Sequence, residues 1–311
     1  MRILLTGAGG FLGARFATLA VAEGHQVLGI GRSARPSRLN ELRKQSKFSY
    51  QIMDAGDAEA LPGRARTFQP AVIVHMASAG GGRSESLEEP AMLRAHFDGA
   101  LSVAGAAEAA QAAVVWMGCA SEYAPSDVPV PEHHGGVPLS AFGAAKRIAF
   151  RAFEHLALGR IRACALRPFH VYGPGDRDDR FTRLAMRAAL GRGPNQLGDP
   201  LLVRDRVFVD DVARAVLQAA EWARARPAGD VPVMNLGTGR GSSQAAFARA
   251  IAKVVKAQDF EPGFGAGSAP DLDPPYLVAR TERAEQLLGW KPTTAVEDGL
   301  TQVFADLKAH S

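Results

Sequence analysis

Met1-Arg-Ile-Leu-Leu-Thr-Gly-Ala-Gly-Gly-Phe-Leu-Gly13 opens the chain and decides how the rest is read. Arg2 to Thr6 is a short, apolar, β-rich run, long enough for a buried strand. Gly7, Gly10 and Gly13 recur every third residue and lead into Ala14 to Ala22, a segment of helix formers that Gly24 stops. Strand, glycine turn and helix, in that order, turn a glycine pattern into a phosphate-binding turn. Glycine lets the backbone approach a pyrophosphate closely, and the helix N-terminus offers unpaired N–H groups and a positive dipole end. Gly7, Gly10, Phe11, Leu12 and Gly13 are therefore candidates to hold a dinucleotide. The spacing is G-x-x-G-x-x-G and not the G-x-G-x-x-G of classical dehydrogenases. An ordinary glycine-rich turn is the plainer alternative.

Downstream, His25 to Gly31 reads as a second strand, followed by Arg32 and Ser33. An acid at this strand end would bind the adenosine ribose hydroxyls, whereas an arginine suits a 2′-phosphate. NADP is therefore favoured over NAD, with Arg32 as its ligand. Phe48 to Asp54 is a third strand, and Asp54 with Ala55 falls at the adenine edge. Pro70 to Ser78 is a nearly continuous apolar run, the mark of a parallel strand buried on both faces. The glycines Gly80 to Gly82 follow at the carboxyl edge of the sheet, where ligands bind in such folds. An alanine-rich helix over 90–113, a strand over 113–118, a helix over 142–158 and a strand over 162–167 continue the alternation. The pattern predicts an α/β fold, a doubly wound parallel sheet of Rossmann type. From Gly173 the rhythm breaks, and helices such as 180–191 lack paired strands. The expected division is 1–172 plus about 206–234 for the dinucleotide domain. A smaller, irregular C-terminal α/β lobe takes about 173–205 plus 235–311.

Of 311 residues, 47% are hydrophobic and 22% charged, which suits a packed core and argues against disorder. The formal charge is only +4, mostly arginine without a basic block. That favours a phosphorylated small molecule over nucleic acid. Cys119 and Cys164 make no disulfide framework. No metal site is expected. No apolar run approaches membrane-spanning length and no leader precedes the first strand, so a cytoplasmic protein that neither enters nor binds a membrane is expected. The small-residue face of the 90–113 helix, with the 142–158 helix, points to a homodimer through helix packing.

Several runs occur together in order: Thr6 to Gly13, Val74-His-Met-Ala77, Gly118-Cys-Ala-Ser-Glu-Tyr123, Arg167 to Pro174, Arg204 to Asp211, Asn235-Leu-Gly-Thr-Gly239 and Leu288-Gly-Trp-Lys-Pro292. With these motifs the chain resembles the extended short-chain dehydrogenase/reductase family, in its nucleotide-sugar epimerase, dehydratase and ketoreductase branch. The resemblance implies hydride transfer between a nicotinamide and a sugar carbon. A tyrosine exchanges the hydroxyl proton, a lysine four residues on holds the nicotinamide ribose, and a Ser or Thr contacts the reacting oxygen. The lysine is Lys146. The tyrosine position holds Phe142, which has nothing to titrate. The Ser/Thr position holds Cys119, a weak donor, with Ser121 two residues on. Three readings stay open. The phenylalanine is an inactivating replacement that traps ligand, or the proton travels through another group (Cys119, Glu122 or His170), or the protein is a non-catalytic NADP(H)-binding sensor or scaffold. The acid and base that serve dehydration in relatives are missing here, since Glu122 is out of register. Reduction or epimerisation at C4 of a nucleotide-diphosphate sugar is left. The resemblance further places Met76 and Ala77 beside the cofactor and Ser78, with Glu122, beside the sugar. Arg204 takes the diphosphate, with Arg180 and Arg240 helping to neutralise it, His170 faces a phosphate or the nicotinamide, and Arg280, where relatives have an aspartate, bears on base or sugar preference.

Overall fold

The structure is a computed structural model that describes residues 1–80, 88–257, 259–265 and 273–309. In chain order the elements are β1 (Arg2–Thr6), α1 (Phe11–Ala22), β2 (Gln26–Gly31), β3 (Phe48–Ile52), α2 (Ala60–Phe68), β4 (Val72–His75), α3 (Glu89–Ala110), β5 (Ala113–Met117), α4 (Ala141–Ala157) and β6 (Ala163–Pro168). They continue with β7 (His170–Tyr172), α5 (Phe181–Ala189), β8 (Val203–Phe208), α6 (Val209–Ala225), β9 (Val233–Leu236), β10 (Gly241–Ser243), α7 (Gln244–Val254), β11 (Tyr276–Leu277), α8 (Glu282–Leu288) and α9 (Val296–Ala309).

Seven parallel strands form the main sheet in the order β3-β2-β1-β4-β5-β6-β9. The order runs outward from β1 in both directions, so crossover helices cover both faces. The inner strands β1, β4, β5 and β6 therefore bury both sets of side chains. Ile3 and Leu5 of β1 join a core with Phe16 and Ala17 of α1 and with α6. Leu4, between them, faces Leu28, Ile73 and the helices α2, α3 and α4. This is why the strands read as continuous apolar runs and not as alternating ones.

The small residues of α3 are used inside the fold. Ala100, Ala104 and Ala107 pack in the core beneath α2 and α4, and are not free to meet a second chain. A second sheet, unseen in the sequence, serves the C-terminal lobe: β10-β8-β11, with β7 also pairing β8. The chain thus rejoins the main sheet only through α6 and β9, over 209–236, slightly later than the expected 206–234. The buried Asp211 carboxylate fixes that return, accepting the Thr293 and Thr294 N–H groups at 3.1 Å each, while Trp290 Nε1 donates to the Asp211 carbonyl at 2.9 Å. Two of the recognised runs, one at 204–211 and one at 288–292, are thereby a single structural joint. Among the described residues no helix is long and apolar enough to cross a membrane.

Candidate active site

The glycine turn is built as its spacing requires. Gly7 has φ +73°, and a Cβ there would sit 2.6 Å from backbone atoms of Met76 and Ala77. A Cβ on Gly13 would collide with the Gly7 carbonyl. Glycine is needed at the first position for conformation and at both for closeness. Gly10 caps α1 with no side-chain acceptor, which leaves the helix N-terminus to a ligand. Phe11 and Leu12 point away, into the core of the C-terminal lobe. Beside the turn runs a cleft whose walls bring together Gly7, Gly10, Arg32, Asp54, Ala55, Met76 and Ala77, with Ser78, assigned to the sugar, on the same wall. Arg32 is exposed at the cleft, and Asp54 accepts the Gly56 N–H at 2.9 Å. Gly80 has φ +76°; Gly81 and Gly82 lie outside the described residues.

Two histidines that sequence reasoning missed also line this cleft, His75 and His96. The Thr6 hydroxyl accepts the Ala77 N–H at 3.2 Å and lies 2.8 Å from His75 Nδ1, so it donates to that nitrogen. His96 Nε2 donates to the Ala79 carbonyl at 3.0 Å. Burial, then the Lys146 charge, pushes His75 down to about 3 and His96 down to about 4, so both rings are neutral near pH 7.

Lys146 is 7% exposed and lies on α4 four residues after Phe142. Ser140 caps that helix, accepting the Gly143 N–H at 3.1 Å. Gly143 is pressed so tightly on the Ser121 carbonyl that no Cβ fits, which sets the height of the helix against the turn at 120–122. The Lys146 ammonium lies 5.7 Å from the Phe142 ring centroid, and His96 meets the same ring edge-on at 5.8 Å. No carboxylate pairs with Lys146 among the described residues.

Cys119 opens the turn. Its thiol accepts the Glu122 N–H, and burial pushes its pKa up, against the pull of Lys146. Ser121 is exposed. Glu122 is not available to a substrate. Its carboxylate accepts the Cys119 N–H at 2.8 Å and pairs with Arg167 Nε at 2.9 Å, with no exposed side-chain surface. Tyr123 is packed behind the strand, its hydroxyl donating to Asn235 Oδ1 at 2.6 Å.

The second sheet builds a cationic face. Strand periodicity puts Arg204 and Arg206 on one side of β8, and the register places His170 beside Arg206. Asp205 turns to the opposite side, where it accepts the Thr238, Gly239 and Ala279 N–H groups at 2.7, 2.9 and 3.2 Å. His170 is exposed as a residue, and desolvation of its ring by the surrounding protein, then Arg204, Arg206 and Arg180, pushes its pKa well below the ordinary imidazole value. The structure thus gathers His170, Arg180 and Arg204 with Arg206, which the sequence reading omitted. His170 stands with this group and does not line the dinucleotide cleft. Arg240 is exposed on the turn held by Asp205, from the other side of the strand. Arg280 lines a separate hollow with Trp222, Arg226 and Arg283, away from both.

Comparison with known proteins agrees with this geometry. The model of the NAD dependent epimerase/dehydratase family matches residues 3–237. A UDP-glucose 4-epimerase of Mycolicibacterium smegmatis is 32% identical over 321 residues, which span 97% of this chain and 97% of that protein. MoeE5, solved in complex with UDP-glucuronic acid and NAD, aligns with a TM-score of 0.86 at 26% identity, covering 100% of both chains. The UDP-glucuronic acid 4-epimerase of Bacillus cereus aligns with a TM-score of 0.89 at 22% identity, again over 100% of both. With a family match over three quarters of its length and a relative alike from end to end, this chain belongs to the NAD dependent epimerase/dehydratase family.

Proposed function

We propose that the chain binds a nicotinamide dinucleotide and a UDP-activated sugar and acts at sugar C4 as an epimerase. The observation that carries the proposal is the position of Lys146, whose ammonium lies beside Phe142, a ring that also meets His96 in the wall of the cleft that starts at the glycine turn. The cradle fits a dinucleotide, because the spaces that Cβ atoms would fill at Gly7 and Gly13 and the uncapped start of α1 suit a pyrophosphate. When bound, the nicotinamide takes up and returns a hydride. The chain supplies the rest. Lys146 holds the ribose and provides positive charge, the Cys119 thiol stays neutral and offers a weak hydrogen bond to the sugar oxygen, and Arg204 of β8 takes the diphosphate. Phe142 offers no proton route, so turnover is slow in this chain. The relatives named as 4-epimerases favour epimerisation over keto reduction. Glu122, Arg240 and Arg280 have no part in the proposal.

Calorimetry with UDP, dTDP, GDP and CDP is expected to show micromolar binding of UDP; absence of binding by any of the four would remove the nucleotide-sugar reading. In the same assay NADP should bind roughly tenfold tighter than NAD, since Arg32 meets a 2′-phosphate with a charge-assisted bond and the end of β2 carries no acid for a ribose. Tighter NAD binding would deny Arg32 that role.

We further propose a homodimer through the outer faces of α3 and α4. Leu93, Phe97 and Leu101 form an exposed stripe at i, i+4, i+8, between 38% and 41% exposed, and Ile148 of α4 is 51% exposed. Phe97→Glu should convert a dimer to a monomer by light scattering. A parent protein with the mass of one chain would sink this part.

A further inference from the structure

Arg204 and Arg206 share one face of β8 but not one electrostatic situation. Arg204 Nη2 lies 2.5 Å from the Asp273 carboxylate. Arg206 has no ion pair among the described residues. It is 7% exposed, and its Nη1 donates to the Ser242 carbonyl and hydroxyl oxygens at 3.0 Å each. Its guanidinium plane lies over the Phe247 and Phe181 rings, at 4.1 and 5.4 Å from their centroids. Burial, then the neighbouring Arg204, pushes its pKa down to about 9, a measure of how poorly the site tolerates a second cation. A buried charge without a counter-ion is costly to keep. Here the cost falls on a guanidinium whose orientation two aromatic rings and a serine already fix, beside a second guanidinium and His170. A planar fork held in place next to another matches two adjacent phosphate groups.

We propose that Arg206 is a second ligand of the substrate's diphosphate, so that Arg204 and Arg206 each take one phosphate and the ligand supplies the anion that Arg206 lacks. This rests on the sugar-nucleotide reading given above and names a residue that the reading did not need. Asp273 then shares Arg204 with the ligand, while Arg206 has no such competing carboxylate among the described residues.

The test is calorimetric binding of UDP and of uridine to the full chain and to Arg206→Met and Arg206→Lys. Methionine keeps the unbranched stem over the two rings and removes the charge; lysine keeps a charge without the fork. UDP affinity is expected to fall roughly ten- to a hundredfold in Arg206→Met, the worth of one charge-assisted bond. Arg206→Lys should show an intermediate loss. Uridine and dinucleotide affinities should stay within about twofold in both, which also reports folding. Raising salt should narrow the gap between the parent and Arg206→Met, because the lost term is electrostatic. If either folded variant binds UDP within twofold of the parent, Arg206 is a packing residue and the inference is overturned. If the parent itself binds no UDP, it is the nucleotide-sugar reading that fails.

Discussion

Phe142→Tyr is expected to raise turnover of a UDP-hexose or UDP-hexuronate by roughly a hundred- to ten-thousand-fold, the usual worth of a positioned acid–base group. The ring is already in place. It lies at the first turn of α4, half-buried, with the Lys146 ammonium 5.7 Å from its centroid. A phenol there would ionise below its ordinary range, because a nearby positive charge favours the phenolate. Among the described residues the titratable groups around Phe142 compete poorly for the role. His75 and His96 are neutral with pKa values of about 3 and 4, and are therefore poor bases at pH 7. Both also use a ring nitrogen to hold backbone or Thr6. The Cys119 thiol is pushed up, away from the thiolate. With tyrosine present, turnover should rise with pH as the phenol ionises. In the parent chain that rise should be absent. A variant whose activity matches the parent on UDP-glucose and UDP-glucuronic acid alike would mean that the proton leaves by another path.

What could be read from the sequence followed from how local the signal was. The glycine turn declared itself because three glycines at fixed spacing answer to contacts with residues directly before them or on the adjacent strand. Phe142 and Lys146 were legible together because i, i+4 on a helix fixes a shared face. The second sheet was not legible. Its central strand reads Val203-Arg-Asp-Arg-Val-Phe208, with three charges in six residues, and two of its partners are two or three residues long. Propensity alone gives no strand there, since what pays for it is burial of Asp205 against three backbone N–H groups from distant segments. The role of His96 depends on Ala79, a neighbour only after folding. Arg280 was expected to bear on base or sugar preference because relatives carry an aspartate there, but the chain leaves the small sheet after β11 and carries it to a different hollow.

Glu122 is the instructive case, for an acid close to a reacting centre invites a chemical role that a distant arginine has already claimed. Arg167→Met is expected to destabilise the protein by about 3–5 kcal/mol, the cost of leaving a buried carboxylate without its partner, and to lower the melting temperature by roughly 10 °C. The Glu122 side chain has no exposed surface and that of Arg167 is 6% exposed. Methionine occupies most of the space between the Tyr123 and Phe150 rings, which lie 4.8 and 5.2 Å from the guanidinium carbon, so the loss is chiefly one of charge. Adding Glu122→Gln should recover most of the loss, because the amide oxygen still accepts the Cys119 N–H and no charge is buried. The consequence reaches the active site. Glu122 anchors the turn at 120–122 on which Gly143 rests, and Gly143 sets the height of Phe142 and Lys146. Dinucleotide affinity should therefore fall in Arg167→Met and return in the double variant, whereas a single variant within about 1 kcal/mol of the parent would show that the pair does not hold the turn.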